Sequence, residues 1–310
     1  MKVSTNQFFD RALIQLSDRQ DGLSKVQAQL ASAKQIVKPS DEPDRAGAVL
    51  RLKSIVDRQD RHLEALIAAK NRLGSEEGAL RDASDLLARV KELALQAAND
   101  TYDTGNREVI AIELDGMREQ LLSLANARDT QENFLFAGTR VRTQPFQTDE
   151  SGSIIYVGDQ TRIRMAVGDH RDLNVNRSGT DVFGSLERPA ELPTEESKTV
   201  GFFDSLKELS EAIRTSDQKG MQRGIGEVDT MIRGVGYAIS EVGTDLLVAE
   251  MQTDMVNETQ LQMKAVLSNV EDLDYAEAVT RMQKQALALE AAQRSLAQIS
   301  QLNLFQYING

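Results

Sequence analysis

The 310-residue sequence contains no cysteine and no tryptophan, only five prolines and two histidines, and just 5% aromatic residues. Without cysteine there is no disulfide scaffold, no thiolate zinc site and no cysteine nucleophile. Two histidines, His62 and His170, leave little material for a His-rich metal centre or a His-based triad. No run approaches 18 apolar residues, so nothing reads as a membrane span. The opening Met1-Lys2-Val3-Ser4-Thr5-Asn6-Gln7 lacks the apolar core of an ordinary secretory signal. A net charge of −12 argues against nucleic acid, because phosphate binding needs a basic face. What is present is 40% hydrophobic residues, rich in Leu, Ala and Val, with 27% charged ones. That composition suits helix packing more than one thick globular core. It reads as a soluble, acidic, helical and non-enzymatic chain, long enough for about two domains.

Proline gives the first map. Pro39, Pro43, Pro145, Pro189 and Pro193 leave 44–144 and 194–310 free of it. An interior proline costs a helix ~3 kcal/mol, so long helices are permitted in those stretches. Apolar residues then recur every seven positions. Phe9, Leu16, Leu23, Leu30 and Val37 form one row; Leu52, Leu66, Leu73, Leu80, Leu87 and Ala94 form another, with Gln59 as a polar lapse. Offset by three, Ile55, Ala69, Ala83, Val90 and Ala97 make a smaller-residue row interrupted at His62 and Glu76. Ile110, Met117 and Leu124 alternate with Leu114 and Leu121, and near the end come Met282, Leu289 and Leu296, flanked by Ala286, Ala292 and Ile299. Such spacing lays an apolar stripe along one side of a helix and favours helix pairs at shallow angles. A helix over about 43–99 would run ~85 Å at 1.5 Å per residue, which predicts an elongated rod.

Boundaries follow from local chemistry. Ser4 with Gln7 resembles a capping box. Lys38-Pro39-Ser40-Asp41-Glu42-Pro43 breaks the first helix and starts the second. The segment 100–105 reads as a turn, and a third helix is predicted over about 106–133. Two alternating runs, 153–157 and 162–167, flank Gly158-Asp159-Gln160-Thr161 and predict a hairpin, with 173–176 a weaker third strand. Helix resumes near Phe202 and runs to Ile308 with a break near 268–273. The two ends belong together: both are helical and both carry heptads. Residues 1–38 hold six basic and three acidic side chains and 274–310 hold three of each, so 39–273 carry a net −15. An amide-rich terminal helix with little net charge can pack on copies of itself without like-charge repulsion. Both ends are expected to be mobile until they meet a partner. The fold is therefore mainly α, an elongated rod of long antiparallel, coiled-coil-like helices with a small inserted β-rich domain and paired terminal helices. The division is 1–40 with 270–310 as a terminal helical domain, 41–140 with 201–269 as a rod domain, and 141–200 as the β-rich domain.

Several residues and short motifs could in principle carry chemistry. His62 sits among charges and reads as a solvated side chain; His170 reads as a turn residue. Gly220-Met221-Gln222-Arg223-Gly224-Ile225-Gly226 lacks the preceding strand and the Gly-Lys-Ser/Thr ending of a phosphate loop, and reads as a flexible helix junction. Glu76-Glu77 and Asp41-Glu42 read as solvated or first-turn groups rather than acid/base pairs. No catalytic, metal or cofactor constellation is predicted. The stripes over 44–133 are assigned to core. Those at the ends are assigned to contacts between subunits, with Phe9, Leu16, Leu23, Leu30, Met282, Leu289, Leu296, Ile299, Leu302 and Phe305 as interface candidates.

The residues also resemble a known family. Val3-Ser4-Thr5, the run from Leu23 through Pro39-Ser40-Asp41-Glu42-Pro43-Asp44-Arg45-Ala46, and Glu77-Gly78-Ala79-Leu80 resemble the N-terminal region of the bacterial flagellin superfamily. Residues 86–100, above all Arg89-Val90-Lys91-Glu92-Leu93, continue the likeness, as do Glu113-Leu114 and Leu124-Ala125-Asn126. At the other end 271–278 and 287–308 look like the flagellin C-terminal region. Within the superfamily, Asn133-Phe134-Leu135-Phe136-Ala137-Gly138-Thr139, Pro145-Phe146, Tyr156-Val157-Gly158-Asp159 and Gly179-Thr180-Asp181-Val182-Phe183 are more similar to the hook–filament junction branch. Members often have two Asp before the proline where this chain has Asp41-Glu42-Pro43, and either acid serves a helix N-terminus. The resemblance implies a structural protein of the extracellular flagellum, exported through the flagellar apparatus without a cleaved signal, whose C-terminal helix is held by a cytoplasmic chaperone. It further implies a ring of identical subunits between a hook-side junction protein and the flagellin filament. A filament-forming flagellin is the nearest alternative; a cytoplasmic coiled-coil scaffold or signalling protein is another, and an enzyme a third.

Overall fold

The computed structural model describes residues 2–99, 101–150, 152–188 and 198–308, excepting the side chains of 2–6, 8, 9 and 299–308. Helices dominate: α1 (Lys2–Ser32), α2 (Pro43–Ala97), α3 (Thr104–Ala125), the short α4 (Gly179–Val182), α5 (Phe202–Arg214), α6 (Gln218–Glu271) and α7 (Tyr275–Ile308). Six short strands lie between α3 and α5: β1 (Phe146–Thr148), β2 (Ile154–Tyr156), β3 (Arg164–Gly168), β4 (Arg171–Asn174), β5 (Leu186–Arg188) and β6 (Lys198–Val200). The chain divides into two compact units, Met1–Asp60 with Glu258–Gly310, and Arg61–Asn257.

In the unit of 61–257 the heptad rows of α2 are the inner wall. Leu66, Leu73, Leu80, Leu87 and Ala94 are completely buried, as are Ala69, Ala83, Val90 and Ala97 of the second row. They pack in one core with Leu114 and Leu121 of α3, Leu206 and Ile213 of α5, and Met221, Val228, Val235 and Val242 of α6. A fully buried aliphatic side chain contributes about 1.5–3 kcal/mol, so these rows are a main source of the unit's stability. Glu76, read from sequence as a solvated group, is also completely buried. Its place in the inner row outweighs its charge.

The aromatic residues, few in number, are concentrated here. Phe183 meets Phe136 edge-on with ring centroids 5.4 Å apart, and Phe146 at 5.9 Å. Phe202 and Phe203 join the same cluster, with Phe202 5.4 Å from Phe183 and Phe203 5.5 Å from Phe146. Arg72 fastens the adjoining loops to α2. Its guanidinium donates to Asp129 Oδ2 at 2.7 Å and to the carbonyls of Phe134, Leu135 and Val175.

Several boundaries differ from the sequence reading. The third helix ends at Ala125 rather than near 133, because Asn126 turns aside to bond the Phe146 backbone through both ends of its amide, and Asp129 gathers the N–H groups of Gln131 and Asn133. The hairpin expected between 153–157 and 162–167 is absent. Instead β1 pairs antiparallel with β2, β3 with β4, and β5 with β6. The reason lies in Asp159, whose carboxylate accepts from the backbone and hydroxyl of Thr139 and from Thr161 N–H. The segment 158–161 is thereby capped against a distant loop rather than folded as a turn. Gly220, Gly224 and Gly226 lie inside α6, not in a flexible junction. A Cβ on Gly224 would come 2.7 Å from Leu209 Cδ1, and one on Gly220 2.8 Å from Ala212 Cβ, so these glycines let α5 and α6 approach closely. The break between those helices falls earlier, at Ser216, with φ of 57°. At the other end, α1 begins at Lys2, so Ser4 lies within the helix rather than capping it.

In the unit of 1–60 and 258–310, α1 ends on Ala33, whose φ of 59° is left-handed. A side chain resists that conformation and glycine does not. The turn is held because Leu273 N–H donates to Ala33 O at 3.1 Å and Gln35 N–H to Glu271 O at 2.8 Å. Ala33→Gly should therefore raise the stability of this unit by about 0.5–1 kcal/mol, seen as a higher thermal midpoint. A lower midpoint would contradict the assignment. In the other unit, Asp159→Ala removes charge-assisted hydrogen bonds and should destabilise by about 1–3 kcal/mol at neutral pH. Hydrogen bonds from Thr139 hold the Asp159 carboxyl at about 2, below its ordinary 3.8. Its contribution is present above pH 3.8 and lost as pH falls toward 2. The gap in thermal midpoint between wild type and variant should narrow through that window; a constant gap would refute the role of the charge.

Candidate functional site

The terminal helices α1 and α7 pack against each other in antiparallel fashion. Their shared end is a bridge between Lys34 and Asp272. Glu271 anchors it: one carboxylate oxygen accepts from both Lys34 and Lys53 at 2.7 Å. Burial pushes the Glu271 carboxyl up, but the hydrogen bonds and charges of Lys34 and Lys53 outweigh it and hold the group below its ordinary value. Gln29 is buried and donates to Gln35 O at 2.5 Å, tying the last turn of α1 to the chain beyond it.

Further along, Gly22 of α1 lies against Gln285 of α7. A Cβ there would lie 2.7 Å from Gln285 Oε1, so the absence of a side chain leaves room for the Gln285 amide. Val26 of α1 and Ala278 of α7 are buried on the facing sides. The predicted interface residues whose side chains are described, Leu16, Leu23 and Leu30 on α1 and Met282, Leu289 and Leu296 on α7, are all only half-buried. Phe9, Ile299, Leu302 and Phe305 lie outside the described side chains. The pair therefore covers one edge of each stripe and leaves the other uncovered. Beyond the stripes, Leu13, Ile14 and Leu287 are exposed by 54%, 62% and 69%.

Sequence reasoning missed the approach of Gly22 to Gln285 and the buried Val26, Gln29 and Ala278. Val26 was detectable, standing three residues after Leu23 where a second row belongs. Gly22 and the amides gave no signal without a partner helix to place them against.

The two histidines lie elsewhere. The His62 side chain, read as solvated, is only 14% exposed, with Nε2 3.4 Å from Asp169 Oδ1. Its position in the inner row of α2 explains the burial. His170 is exposed in the turn between β3 and β4. Among the described residues no group of three His, Asp or Glu side chains is arranged to hold a metal ion, and no helix is long and apolar enough to cross a membrane.

Comparison with known proteins bears on this helical pair directly. The model of the bacterial flagellin N-terminal helical region matches residues 3–141, and that of the flagellin C-terminal helical region matches residues 225–308. The flagellar hook-associated protein 3 of Escherichia coli strain K12 is 24% identical over 317 aligned residues, covering 99% of each chain. Its Salmonella typhimurium counterpart is 23% identical over the same span. In fold, the chain is similar to the crystal structure of a flagellar hook-associated protein-3 from Legionella pneumophila. That likeness has a TM-score of 0.64 at 18% identity, over 72% of this chain and 98% of that one. With both terminal helical regions matched and the likeness to relatives running from end to end, the chain belongs to the bacterial flagellin family.

Proposed function

We propose that this chain is a structural subunit of the bacterial flagellum, acting at the junction between hook and filament through helix–helix packing. The observation that carries the reading is the α1–α7 pair, whose leucine stripes are half-covered by each other and whose outer apolar residues face solvent. A helix pair in that state is completed by other helices. At ~25 cal/mol per Å² of apolar area removed from water, a few leucines per subunit contribute several kcal/mol, repeated around a closed ring of copies. The end-to-end likeness to hook-associated protein 3 supports the junction assignment within the family. On this reading the partners are copies of the same chain, a hook-side junction protein, flagellin and an export chaperone on α7. The site of action is the extracellular flagellum, and the role is mechanical rather than enzymatic.

Two measurements separate this reading from its rivals. A strain lacking the chain should keep its hooks, lose its filaments and spill flagellin into the medium; the purified chain should stay monomeric where a flagellin polymerises. Self-assembly into long filaments would move the assignment to the filament subunit, and absence from sheared flagella and culture medium would favour a cytoplasmic scaffold. Within the interface, Leu289→Asp or Leu296→Asp should abolish incorporation while leaving the unit of 61–257 folded, as judged by its circular dichroism. Normal filaments in either strain would remove those residues from the interface.

A further inference from the structure

Glu76 stands in the inner row of α2, completely buried, and neither oxygen of its carboxylate has a hydrogen-bond partner. The nearest cation is Arg177, in the segment after β4, with Nη1 3.6 Å from Glu76 Oε1 and likewise without a hydrogen bond at that nitrogen. Arg177 is engaged elsewhere. Its Nη2 donates to Asp245 at 2.5 Å and its Nε to Glu241 at 3.3 Å, both acids on α6. The remaining charged groups facing the cluster are also committed. Arg72, one turn before Glu76 on α2, is held by Asp129 at 2.7 Å. Arg162 divides itself between Asp181 at 3.4 Å and Glu241 at 3.7 Å. One buried guanidinium thus faces three carboxylates, and two of the three already hold it. An ionised third carboxylate would have only Arg177 Nη1 at 3.6 Å, beyond hydrogen-bond distance, and no solvent, which burial in a low-dielectric interior disfavours.

We propose that Glu76 is the proton-binding element of a pH-sensitive lock in the unit of 61–257. As a neutral acid it lets α2, the 175–178 segment and α6 close on one another; ionised, it loosens that junction. The balance is simple: ionisation releases one proton to solvent and adds a third negative charge around the one buried Arg177 guanidinium, against the repulsion of Asp245. Burial pushes the Glu76 carboxyl up from 4.5 to about 7, against the pull of Arg177 and Arg72. With the folded value raised, the stability it confers is complete below pH 4.5, declines as pH rises and is gone beyond about 7. The inference is independent of the flagellar assignment, since it concerns only groups inside one unit.

Hydrogen–deuterium exchange on the full chain, corrected for the intrinsic pH dependence of exchange, tests it. Between about pH 5 and about pH 8.5, peptides spanning 70–80, 174–180 and 238–248 should open at least about tenfold more readily in the wild type. In Glu76→Gln that slope should vanish. Asp245→Asn removes the repelling charge and frees Arg177, so it should move the wild-type midpoint to lower pH, an effect that a merely structural contact would not produce. Infrared difference spectra at about pH 6 should contain a protonated-acid band that Glu76→Gln lacks. Exchange independent of pH in the wild type, an equal slope in Glu76→Gln, or a missing acid band would overturn the lock. If Glu76→Gln fails to fold, the direction of the Asp245→Asn midpoint decides.

Discussion

A seven-residue spacing laid on a helix of 3.6 residues per turn is the constraint from which the rest of this structure follows. It keeps Leu66, Leu73, Leu80 and Leu87 on one side of α2, where all four are completely buried. Once that wall exists, α3, α5 and α6 have a surface to close against, and the residues they bring to it belong to a single core with it. The small strands contribute Phe146, Val167 and Leu173 to that core. They are held by side chains reaching across sequence, such as Arg72 from α2 and Asn126 from the end of α3.

The same constraint decides where polar residues go. Gln59, His62 and Glu76 interrupt the two rows of α2, and each is withdrawn from solvent, whatever its chemistry. Neighbouring residues on a helix point about 100° apart. That is why Glu76 faces the core while Glu77, next to it, forms an exposed-side ion pair with Arg81. A reading based on the run of two acids places both on the surface; one based on the period separates them. In a strongly periodic helix, position is the better guide to burial than residue type. A polar lapse in the row is where buried chemistry should first be sought.

The helices were legible because their signal is local and repeated. Proline fixed the start of α2 at Pro43, and from Leu66 to Ala97 the heptads identified its inner face, whereas Leu52 and Ile55 of the same rows are only half-buried. The strands were legible only as alternation. Their pairing depends on contacts that no local pattern encodes: Asp159 with Thr139, twenty residues earlier, and Asn126 with Phe146. The aromatic cluster is a similar case. Phe136, Phe146, Phe183, Phe202 and Phe203 come from separate parts of the chain, and only the fold shows that they share one site. At the terminal pair the stripes were visible, whereas the close contact at Gly22 and Gln285 was not, because an amide and a missing side chain acquire meaning only against a partner.

The terminal pair differs physically from the wall of α2. Leu16, Leu23, Met282 and Leu289 of the terminal pair stop at half burial, while Leu66, Leu73, Leu80 and Leu87 of α2 are completely buried. The parts of α2 and α6 that belong to the same unit, 43–60 and 258–271, leave these stripes half-covered, and on the proposed reading helices of other subunits complete them. Charge then decides whether copies of the chain can supply them. The net negative charge lies within 39–273, whereas 274–310 balances and 1–38 is basic. On the proposed reading, copies meet through segments that carry little of the chain's negative charge. On that reading the surfaces whose apolar burial is still incomplete are also those where like-charge repulsion is least.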